Sequence, residues 1–354
     1  MTRIHRLIGL SALALLAAGV PAFARADRAA VERTAADRVT VGWTAAGPVD
    51  VFIADRPVSD PAAAQPVAAD DRTGRVEVAV DSAARPYFLL RDKADGSLVP
   101  VAERVVPLTQ GSNFRDIGGY AGADGRHVRW GLIYRSGATP LLTADDLARI
   151  HALGLVNMID LRSSEERELA PTKIHGVIYS AVAYSMEDMM KMAGQGAGPT
   201  GGLYRAFPKM LVPQLRDVFN TLMENQGPIV YNCSAGQDRT GFTTAMVLAA
   251  LGVPRDTILA DYHLSTAYRH PRWEMPVIDP AAFPGNRIAR FFASHQDPTA
   301  ERKPEPLYDR DGKSLLLASF AEIDRRYGSV DAYLEKEVGV TAADLATLRA
   351  NYLE

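Results

Sequence analysis

The hydrophobic pattern of this 354-residue chain changes its period near residue 106, and that change restricts the fold more than any other feature. Before residue 106, apolar and polar residues alternate in short runs such as RVTVGW, VDVFIA and GRVEVAV, with Gly-, Pro- and Asp-rich turns between them. Alternation at a period of two is typical of half-buried strands. Short, evenly spaced strands without a helical period indicate a small all-β sandwich domain, which we predict over residues 25–106.

The strand pattern of residues 25–106 resembles that of fibronectin type III and immunoglobulin-like modules. This resemblance rests on strand spacing alone, and it does not indicate which partner the β module would bind. The segment from Ala26 to Asp37 precedes the first alternating run, and we interpret it as a tether.

After residue 106, apolar strands alternate with segments at helical spacing. LVNMIDLRS and GPIVYNC are typical of buried strands, whereas MLVPQLRDVFNTLMEN and RTGFTTAMVLAALG are typical of helices. Thr143 is the predicted N-cap of a further helix in LTADDLARIHALG. Strands that alternate with helices predict a three-layer α/β domain with a mostly parallel sheet over residues 107–354. The Met- and Gly-rich segment from Met186 to Gly202 has no clear period and is interpreted as a linker or as a lid over a site.

The first 24 residues have the three parts of a secretory signal peptide. MTRIHR is basic, LIGLSALALLAAGVPA is apolar, and AFA has small residues at the spacing of a cleavage site, with ARA as an alternative. The apolar run is short for a membrane-spanning helix, so a membrane anchor is the less favoured interpretation. We therefore predict a signal peptide over residues 1–24 and a periplasmic or secreted mature protein, without membrane contact after cleavage.

The charge of the chain argues against nucleic acid as its main partner. The formal net charge is −3 at pH 7, and removal of a leader that contains Arg3 and Arg6 makes it −5. A nucleic-acid-binding domain would carry a basic stripe, and the sequence has none. The seven histidines do not form a metal-ligand pattern, so no metal and no cofactor are predicted.

Cys233 is the only cysteine of the chain, so it cannot form an internal disulfide. It follows the predicted strand PIVYN and precedes the helix that starts near Arg239, a place where α/β sheets bind ligands. Backbone N–H groups in such a loop can surround a tetrahedral dianion, and Arg239 would add a planar fork for two oxygens. Thr240 would donate its hydroxyl group to the thiolate. The predicted phosphate-binding residues are Ser234, Ala235, Gly236, Gln237, Asp238 and Arg239.

The run CSAGQDRTG, from Cys233 to Gly241, resembles the signature loop of the protein tyrosine phosphatases. Its extended form, C-x-x-G-x-D-R-T-G, is similar to that of a bacterial branch of exported tyrosine and dual-specificity phosphatases, some of which also act on phosphoinositides. The resemblance extends over residues 107–354 through the motifs NFRDIGGY, GLIYRSG, IDLRS, DYHLS and YGSVDAYL. It implies that these residues form a cysteine-dependent phosphatase domain. In NFRDIGGY, Arg115 and Asp116 are expected to hold the loop in place.

The resemblance also implies catalytic roles for the matching residues. Cys233 corresponds to the nucleophile, Arg239 to the phosphate clamp, and Asp238 to an aspartate that this branch uses as general acid. Asp160 in IDLRS is a second candidate for the acid, because it ends a neighbouring strand at the same sheet edge. An alternative of equal weight is that Asp160 caps a helix or pairs with Arg162.

Two residues depart from the pattern of this branch. Asn232 stands before the cysteine where the branch usually has histidine, and Gln237 stands where it usually has lysine. Asparagine can still orient the loop by hydrogen bonds. The missing lysine removes a positive charge from the mouth of the predicted site, which argues against highly charged inositol phosphates as substrates.

Together these features predict an exported, metal-independent protein tyrosine phosphatase that forms a cysteinyl-phosphate intermediate. The predicted substrate is a phosphorylated protein or peptide, with dual specificity left open. Phospholipid head groups, as in a phosphoinositide phosphatase, are one alternative. The other is a catalytically silent phosphate-binding protein with the β module as its interaction surface, although a pure binder need not keep Cys233 together with Asp238 and Arg239.

Overall fold

The computed structural model of the protein describes residues 27–187, 201–294, 296 and 303–354. The predicted signal peptide lies outside the described residues, as does the greater part of the segment from Met186 to Gly202. In the described ranges, no helix combines the length and the apolar character needed to cross a membrane.

Residues 27–102 form strands in two antiparallel sheets. One sheet has the order β1-β2-β5 and the other the order β4-β3-β6-β7. Buried residues of the first sheet, such as Val41 and Trp43, belong to one apolar cluster with Val51, Phe88 and Leu90 of the second. The two sheets therefore share one core. The strand bounds are β1 Asp27–Ala35, β2 Arg38–Thr44, β3 Val49–Ala54, β4 Gln65–Asp71, β5 Arg75–Ala79, β6 Tyr87–Asp92 and β7 Leu98–Ala102.

The interpretation of residues 26–37 as a tether is wrong, because most of this segment forms strand β1. The strand pairs with β2 in antiparallel register, with Val31 opposite Val41. Only Val31 of DRAAVERTA is a large apolar residue, so the strand shows no clear alternation in sequence. Backbone pairing with β2 and the ion pair between Arg33 and Glu103, at 2.7 Å, stabilise it instead.

The second half of the chain contains a five-stranded sheet with the order β11-β10-β12-β9-β8. Strands β9 to β12 pair in parallel, and the short β8 pairs with β9 in antiparallel fashion. Every residue of β9, β10 and β12 is buried, as is usual for parallel strands that are covered on both faces. The α/β class predicted for this part of the chain is confirmed. The bounds are β8 Arg115–Asp116, β9 Ile133–Ser136, β10 Asn157–Asp160, β11 Ile178–Ser180 and β12 Ile229–Asn232.

Helices surround this sheet, and the first of them begins as predicted. Thr143 accepts a hydrogen bond from the backbone of Asp146, and Asp146 accepts one from the backbone of Thr143, which is a complete capping box. The helix bounds are α1 Ala144–Ala152, α2 Ser164–Leu169, α3 Gly201–Met210, α4 Val212–Glu224, α5 Asp238–Ala250, α6 Arg255–His263, α7 Ser265–Tyr268, α8 Ala289–Ser294, α9 Leu317–Tyr327, α10 Val330–Tyr333 and α11 Ala342–Tyr352. A π-helical turn at Leu334–Val338 follows α10, and 3₁₀ turns occur at Pro61–Ala63, Ala123–Gly125, Pro271–Trp273 and Pro280–Ala282.

Helix α5 is buried on almost all sides, and Phe242 and Met246 belong to the largest apolar cluster of the fold. Residues 233–237 connect the end of β12 to the start of α5. In the sheet register, Asn232 lies beside Asp160 at the end of β10 and beside Ser136 at the end of β9. The connection therefore lies at the carboxyl edge of three neighbouring parallel strands, where α/β sheets bind ligands.

The N-terminal sheets contact the rest of the fold through buried polar groups. Arg85, which precedes β6, donates to Asp116 of β8 at 2.8 Å, and both side chains are buried. Trp130 belongs to the N-terminal apolar cluster and donates from its indole nitrogen to the carbonyl of Pro100 at 3.1 Å. Asp116 was expected to hold the cysteine-containing loop, but its carboxylate instead accepts hydrogen bonds from Arg85 and from the backbone of Gly118 and Gly131.

Candidate active site

Cys233 begins the loop that joins β12 to α5, and its side chain is buried. We call residues 233–239 the cysteine loop. Gly236 allows this loop to pass directly against the end of β9. Its φ is +63°, and a Cβ at this position would approach the backbone of Ser136 and of Gly137 to 2.5 Å. Both the backbone conformation and the lack of space therefore require glycine here.

The carbonyl groups of Ser234, Ala235 and Gly236 in the cysteine loop accept hydrogen bonds from residues that precede the loop by about 100 positions. Asn113 donates from its side-chain amide to the carbonyl of Gly236 at 2.7 Å and to that of Ala235 at 3.2 Å. The backbone of Ala138 donates to the carbonyl of Ser234 at 2.9 Å. In a trans peptide the C=O and N–H groups point to opposite sides, so the N–H groups of these peptide units face the interior of the loop. They belong to Ala235, Gly236 and Gln237.

A buried charge cluster lies behind the loop. Asp261 of α6 accepts from Arg115 Nε at 3.2 Å and from Arg135 Nη1 at 2.7 Å. Burial alone would raise the pKa of Asp261, but the charges of Arg115 and Arg135 lower it well below its ordinary value, so the carboxylate stays ionised. Arg135 also donates to the carbonyl of Gly236 at 2.8 Å, and Arg115 donates to the side chain of Asn113. Arg115 thus supports the loop through Asn113.

Glu166 is absent from the predicted site residues, yet it is the buried partner of Arg239. Its carboxylate accepts from Nη1 and from Nη2 of Arg239 at 2.6 Å each, and from the hydroxyl group of Ser234 at 2.6 Å. Burial alone would raise the pKa of Glu166, but Arg239 lowers it to about 2. Glu166 is therefore an anion that ties the beginning of the cysteine loop to its end.

A sequence signal for Glu166 does exist. Ser163 and Glu166 form a capping box at the start of α2, in the S-x-x-E pattern that is typical of a helix N-terminus. That pattern predicts the helix, but it does not indicate the contact with Arg239, which joins residues 73 positions apart. Tyr184 completes the surroundings of the guanidinium, because its hydroxyl group accepts from Arg239 at 2.6 Å and donates to the carbonyl of Leu161 at 2.9 Å.

Asp238 is the first residue of α5, and its side chain is half-buried. Its Oδ1 accepts from the hydroxyl group of Tyr204 at 2.5 Å and from the amide nitrogen of Gln237 at 3.3 Å. The hydroxyl group of Tyr204 is also 2.5 Å from that of Tyr262. Burial and the charge of Asp238 raise the pKa of Tyr204 well above its ordinary value, so Tyr204 remains a proton donor to the carboxylate.

Asp160 ends β10, and both of its carboxylate oxygens are occupied. Arg162 donates from Nε to Oδ1 at 2.9 Å and from Nη2 to Oδ2 at 2.6 Å. The hydroxyl group of Tyr179 also donates to Oδ2, at 3.0 Å. Asp160 and Arg162 are both fully buried. These contacts favour pairing with Arg162, the structural alternative that the sequence left open, over a role as general acid.

Thr240 lies in the first turn of α5 and is fully buried. Its hydroxyl oxygen and Oδ1 of Asn232 have no hydrogen-bond partner among the described residues. The donation of the Thr240 hydroxyl group to the thiolate stays a prediction. Across the part of the chain that the structure describes, no group of three or more His, Cys, Asp or Glu side chains is placed to hold a metal ion.

Comparison with known proteins identifies the family. A sequence model of the tyrosine phosphatase family matches residues 106–354, well over half of the chain. This chain belongs to the tyrosine phosphatase family. The phosphatase is 36% identical over 256 residues to a Cupriavidus necator protein that bears the name tyrosine-protein phosphatase, over 68% of this chain and 86% of that protein. It is 27% identical over 281 residues to triple specificity protein phosphatase PtpB of Mycobacterium tuberculosis, over 67% of this chain and 95% of PtpB. The phosphatase is thus a hydrolase of phosphoric monoesters, as predicted.

Solved structures of other phosphatases show a weaker likeness. The complex of P. aeruginosa TpbA with phosphotyrosine matches 48% of the phosphatase and 91% of TpbA, with 15% identity and a TM-score of 0.27. Kinase associated phosphatase matches 48% of the phosphatase and 90% of its own chain, with 8% identity and a TM-score of 0.26.

Proposed function

We propose that the enzyme hydrolyses phosphotyrosine in proteins or peptides through a cysteinyl-phosphate intermediate on Cys233, and that it acts in the periplasm or outside the cell. One observation carries the catalytic part of this proposal. The cysteine loop has a buried thiol at its start, peptide N–H groups toward its interior, and the guanidinium of Arg239 at its end. A dianionic phosphate suits these donors, because its negative charge is complementary to the guanidinium and its oxygens can accept from the N–H groups.

Arg239 presents a defined edge to the phosphate. In the described residues, its hydrogen bonds use Nη1 and Nη2 toward Glu166, and Nη1 toward Tyr184. The edge formed by Nε and the second hydrogen of Nη2 is left for two phosphate oxygens, in the bidentate geometry that guanidinium groups favour. Glu166 thereby orients the fork before the substrate binds.

In the first step, the thiolate of Cys233 attacks the phosphorus atom, so that the S–P bond forms and the bond from phosphorus to the tyrosine oxygen breaks. Asp238 gives its proton to the departing phenolate oxygen. The inward N–H groups and Arg239 stabilise the charge on the phosphoryl oxygens throughout.

In the second step, water attacks the phosphorus atom of the cysteinyl-phosphate, and Asp238, now a carboxylate, accepts a proton from the water. The S–P bond breaks and returns its electron pair to sulfur, and inorganic phosphate leaves. The buried hydroxyl group of Thr240 stabilises the returning thiolate.

The charges at the mouth of the loop favour phosphotyrosine over inositol phosphates. Gln237 replaces the lysine that related loops carry, and Arg269 donates to its amide oxygen at 2.6 Å. Glu274 pairs with Arg269 at 2.8 Å, however, so the pair adds no net positive charge for a second phosphate group. The name of PtpB, which states triple specificity, keeps other phosphoesters as alternatives for this enzyme.

A substrate panel tests this specificity. Peptides with phosphotyrosine, phosphoserine or phosphothreonine and vesicles with phosphoinositides are incubated with the enzyme in the presence of EDTA. We expect the highest kcat/KM for phosphotyrosine, unchanged by EDTA. A higher value for phosphoinositides would replace this proposal with the lipid alternative, and no turnover of any substrate would favour the silent phosphate-binding protein.

The Cys233→Ser variant tests the nucleophile. Because the loop N–H groups and Arg239 supply the oxygen contacts, we expect this variant to lose turnover and to retain binding of tungstate, measured by calorimetry. Retained turnover would contradict a covalent mechanism on Cys233.

We further propose that residues 1–24 are a cleaved signal peptide, and that residues 25–106 form a sandwich module ahead of the phosphatase domain of residues 107–354. The basic, apolar and small-residue parts of the leader support export, and the shared core of the two N-terminal sheets supports the module. N-terminal sequencing of the protein from a periplasmic fraction is expected to start at residue 25 or 27. An intact leader in the membrane fraction would instead indicate a membrane anchor.

A further inference from the structure

Gln237 is hydrogen-bonded at both ends of its side-chain amide. Nη1 of Arg269 donates to its Oε1 at 2.6 Å, and its Nε2 donates to Oδ1 of Asp238 at 3.3 Å. A guanidinium group can only donate, so Arg269 determines which end of the amide is the oxygen. The NH₂ end must then face Asp238. The amide therefore has one orientation, and that orientation supplies a donor to the carboxylate.

Arg269 is itself fixed by buried contacts. Its Nε and Nη2 donate to the two carboxylate oxygens of Glu274 at 2.9 and 2.8 Å. Glu274 also accepts from the hydroxyl group of Ser112 at 2.8 Å, and Ser112 accepts from the backbone of His270 at 2.9 Å. The side chains of Arg269 and Glu274 are only 16% and 9% exposed. Arg269 thus offers a rigid donor to Gln237.

Asp238 is held from its other side by Tyr204, whose hydroxyl group donates to the same oxygen at 2.5 Å. Both hydrogen bonds that the described residues donate to this carboxylate end on Oδ1. Because Oδ1 is bound from two sides, the Asp238 side chain keeps one rotamer. Its second oxygen, Oδ2, is then available to carry the proton that is transferred to the leaving group.

We propose that Gln237 and Arg269 are a matched pair that positions Asp238 for proton transfer. Gln237 is a positioning residue, because it acts on the leaving group only through Asp238. A lysine at position 237 could not accept from Arg269, and it would place two cations against each other. Arg269 therefore explains why this loop carries glutamine. The inference rests on the proposed function, in which Asp238 is the general acid.

Four variants test the pair: Gln237→Met, Gln237→Lys, Arg269→Met and the double variant Gln237→Lys with Arg269→Met. Steady-state kinetics are measured with phenyl phosphate, which has a poor leaving group, and with p-nitrophenyl phosphate, which has a good one. For Gln237→Met we expect kcat to fall about tenfold more with phenyl phosphate than with p-nitrophenyl phosphate. A poor leaving group depends most on protonation, so its reaction is the one that a displaced acid slows most. KM is expected to stay unchanged, because the phosphate is held by the loop and Arg239.

The lysine variants make the test specific for the pair. Gln237→Lys alone is expected to have a lower kcat with phenyl phosphate than the double variant. In the double variant, Arg269 no longer places a second cation beside the lysine. Arg255→Met is the control for loss of an arginine, because Arg255 forms an exposed pair with Asp324 outside the site. Melting temperatures of all variants separate lost positioning from lost stability.

Two results would overturn the inference while the proposed function stands. One is that Gln237→Met slows both substrates equally or not at all, while Asp238→Asn shows the leaving-group dependence. The other is that the double variant is no faster than Gln237→Lys alone. If the wild type hydrolyses neither aryl phosphate, the proposed function itself is wrong. The proposed role of Gln237 and Arg269 is then wrong as well.

Discussion

The carboxylate of Glu166 and the guanidinium of Arg239 are joined by two hydrogen bonds of 2.6 Å. The same carboxylate accepts from Ser234, so one buried anion holds both the beginning and the end of the cysteine loop. A site keeps its geometry only if the side chains that form it are themselves held in place. The shape of this loop thus depends on a residue that lies outside the loop sequence.

Replacement of Glu166 by glutamine is expected to destabilise the fold and to weaken phosphate binding. The buried guanidinium of Arg239 would keep its charge without an anion, which costs on the order of 3 kcal/mol. Urea unfolding measures this loss. The matched control is Glu168→Gln on the same helix, because glutamine can still accept from Asn286 there. Equal urea midpoints for the two variants would show that the Glu166–Arg239 pair does not stabilise the loop.

The same ion pair predicts how stability depends on pH. Burial alone would raise the pKa of Glu166, but Arg239 lowers it from 4.5 to about 2. A carboxyl group with a lower pKa in the folded state contributes stability that is complete above its unfolded pKa and is lost as the pH falls through its folded pKa. The free energy of unfolding of the wild type should therefore approach that of Glu166→Gln between pH 4.5 and about 2. A constant difference between the two proteins over this range would contradict the predicted shift.

Local patterns predicted much of the fold, whereas contacts between distant residues were not predictable from the sequence. Thr143 was predictable as a cap because its partner Asp146 follows within the same turn. Strand β1 was missed because its sequence has one large apolar residue, and its stability comes from pairing with β2. Glu166 contacts Arg239 across 73 positions of the sequence, and Arg269 contacts Gln237 across 32 positions. No local sequence pattern predicts either contact.

The assignment of Asp238 as the general acid makes a prediction that separates it from Asp160. Loss of the acid lowers the rate most for a substrate with a poor leaving group. Asp238→Asn should therefore lower kcat with phenyl phosphate about 100-fold more than it lowers kcat with p-nitrophenyl phosphate. It should also remove the basic limb of the pH–rate profile, because that limb reports loss of the acid's proton.

Asp160→Asn is the matched comparison. The change leaves the buried guanidinium of Arg162 without its anion, so it should lower the melting temperature and slow both substrates alike. If the two patterns are exchanged, Asp160 is the acid and Asp238 has the structural role.

Oxidation should inactivate the enzyme in two stages. Brief exposure to peroxide converts a catalytic thiolate to sulfenic acid, which dithiothreitol reduces, and longer exposure gives sulfinic acid, which it does not. Because Cys233 is the only cysteine, no second thiol of the chain can trap the first product as a disulfide. We expect activity to return after short treatment and not after long treatment. Full recovery after long treatment would contradict this prediction.

In the proposed mechanism, Cys233 carries the phosphoryl group during turnover. The most direct measurement is to mix the enzyme with excess p-nitrophenyl phosphate, quench the reaction in acid during steady state, and analyse the digested protein by mass spectrometry. We predict that the peptide containing Cys233 gains the mass of one phosphoryl group, and that the gain disappears once the substrate is exhausted. An active enzyme whose Cys233 stays unmodified under these conditions, or which carries the phosphoryl group on another residue, would contradict the claim.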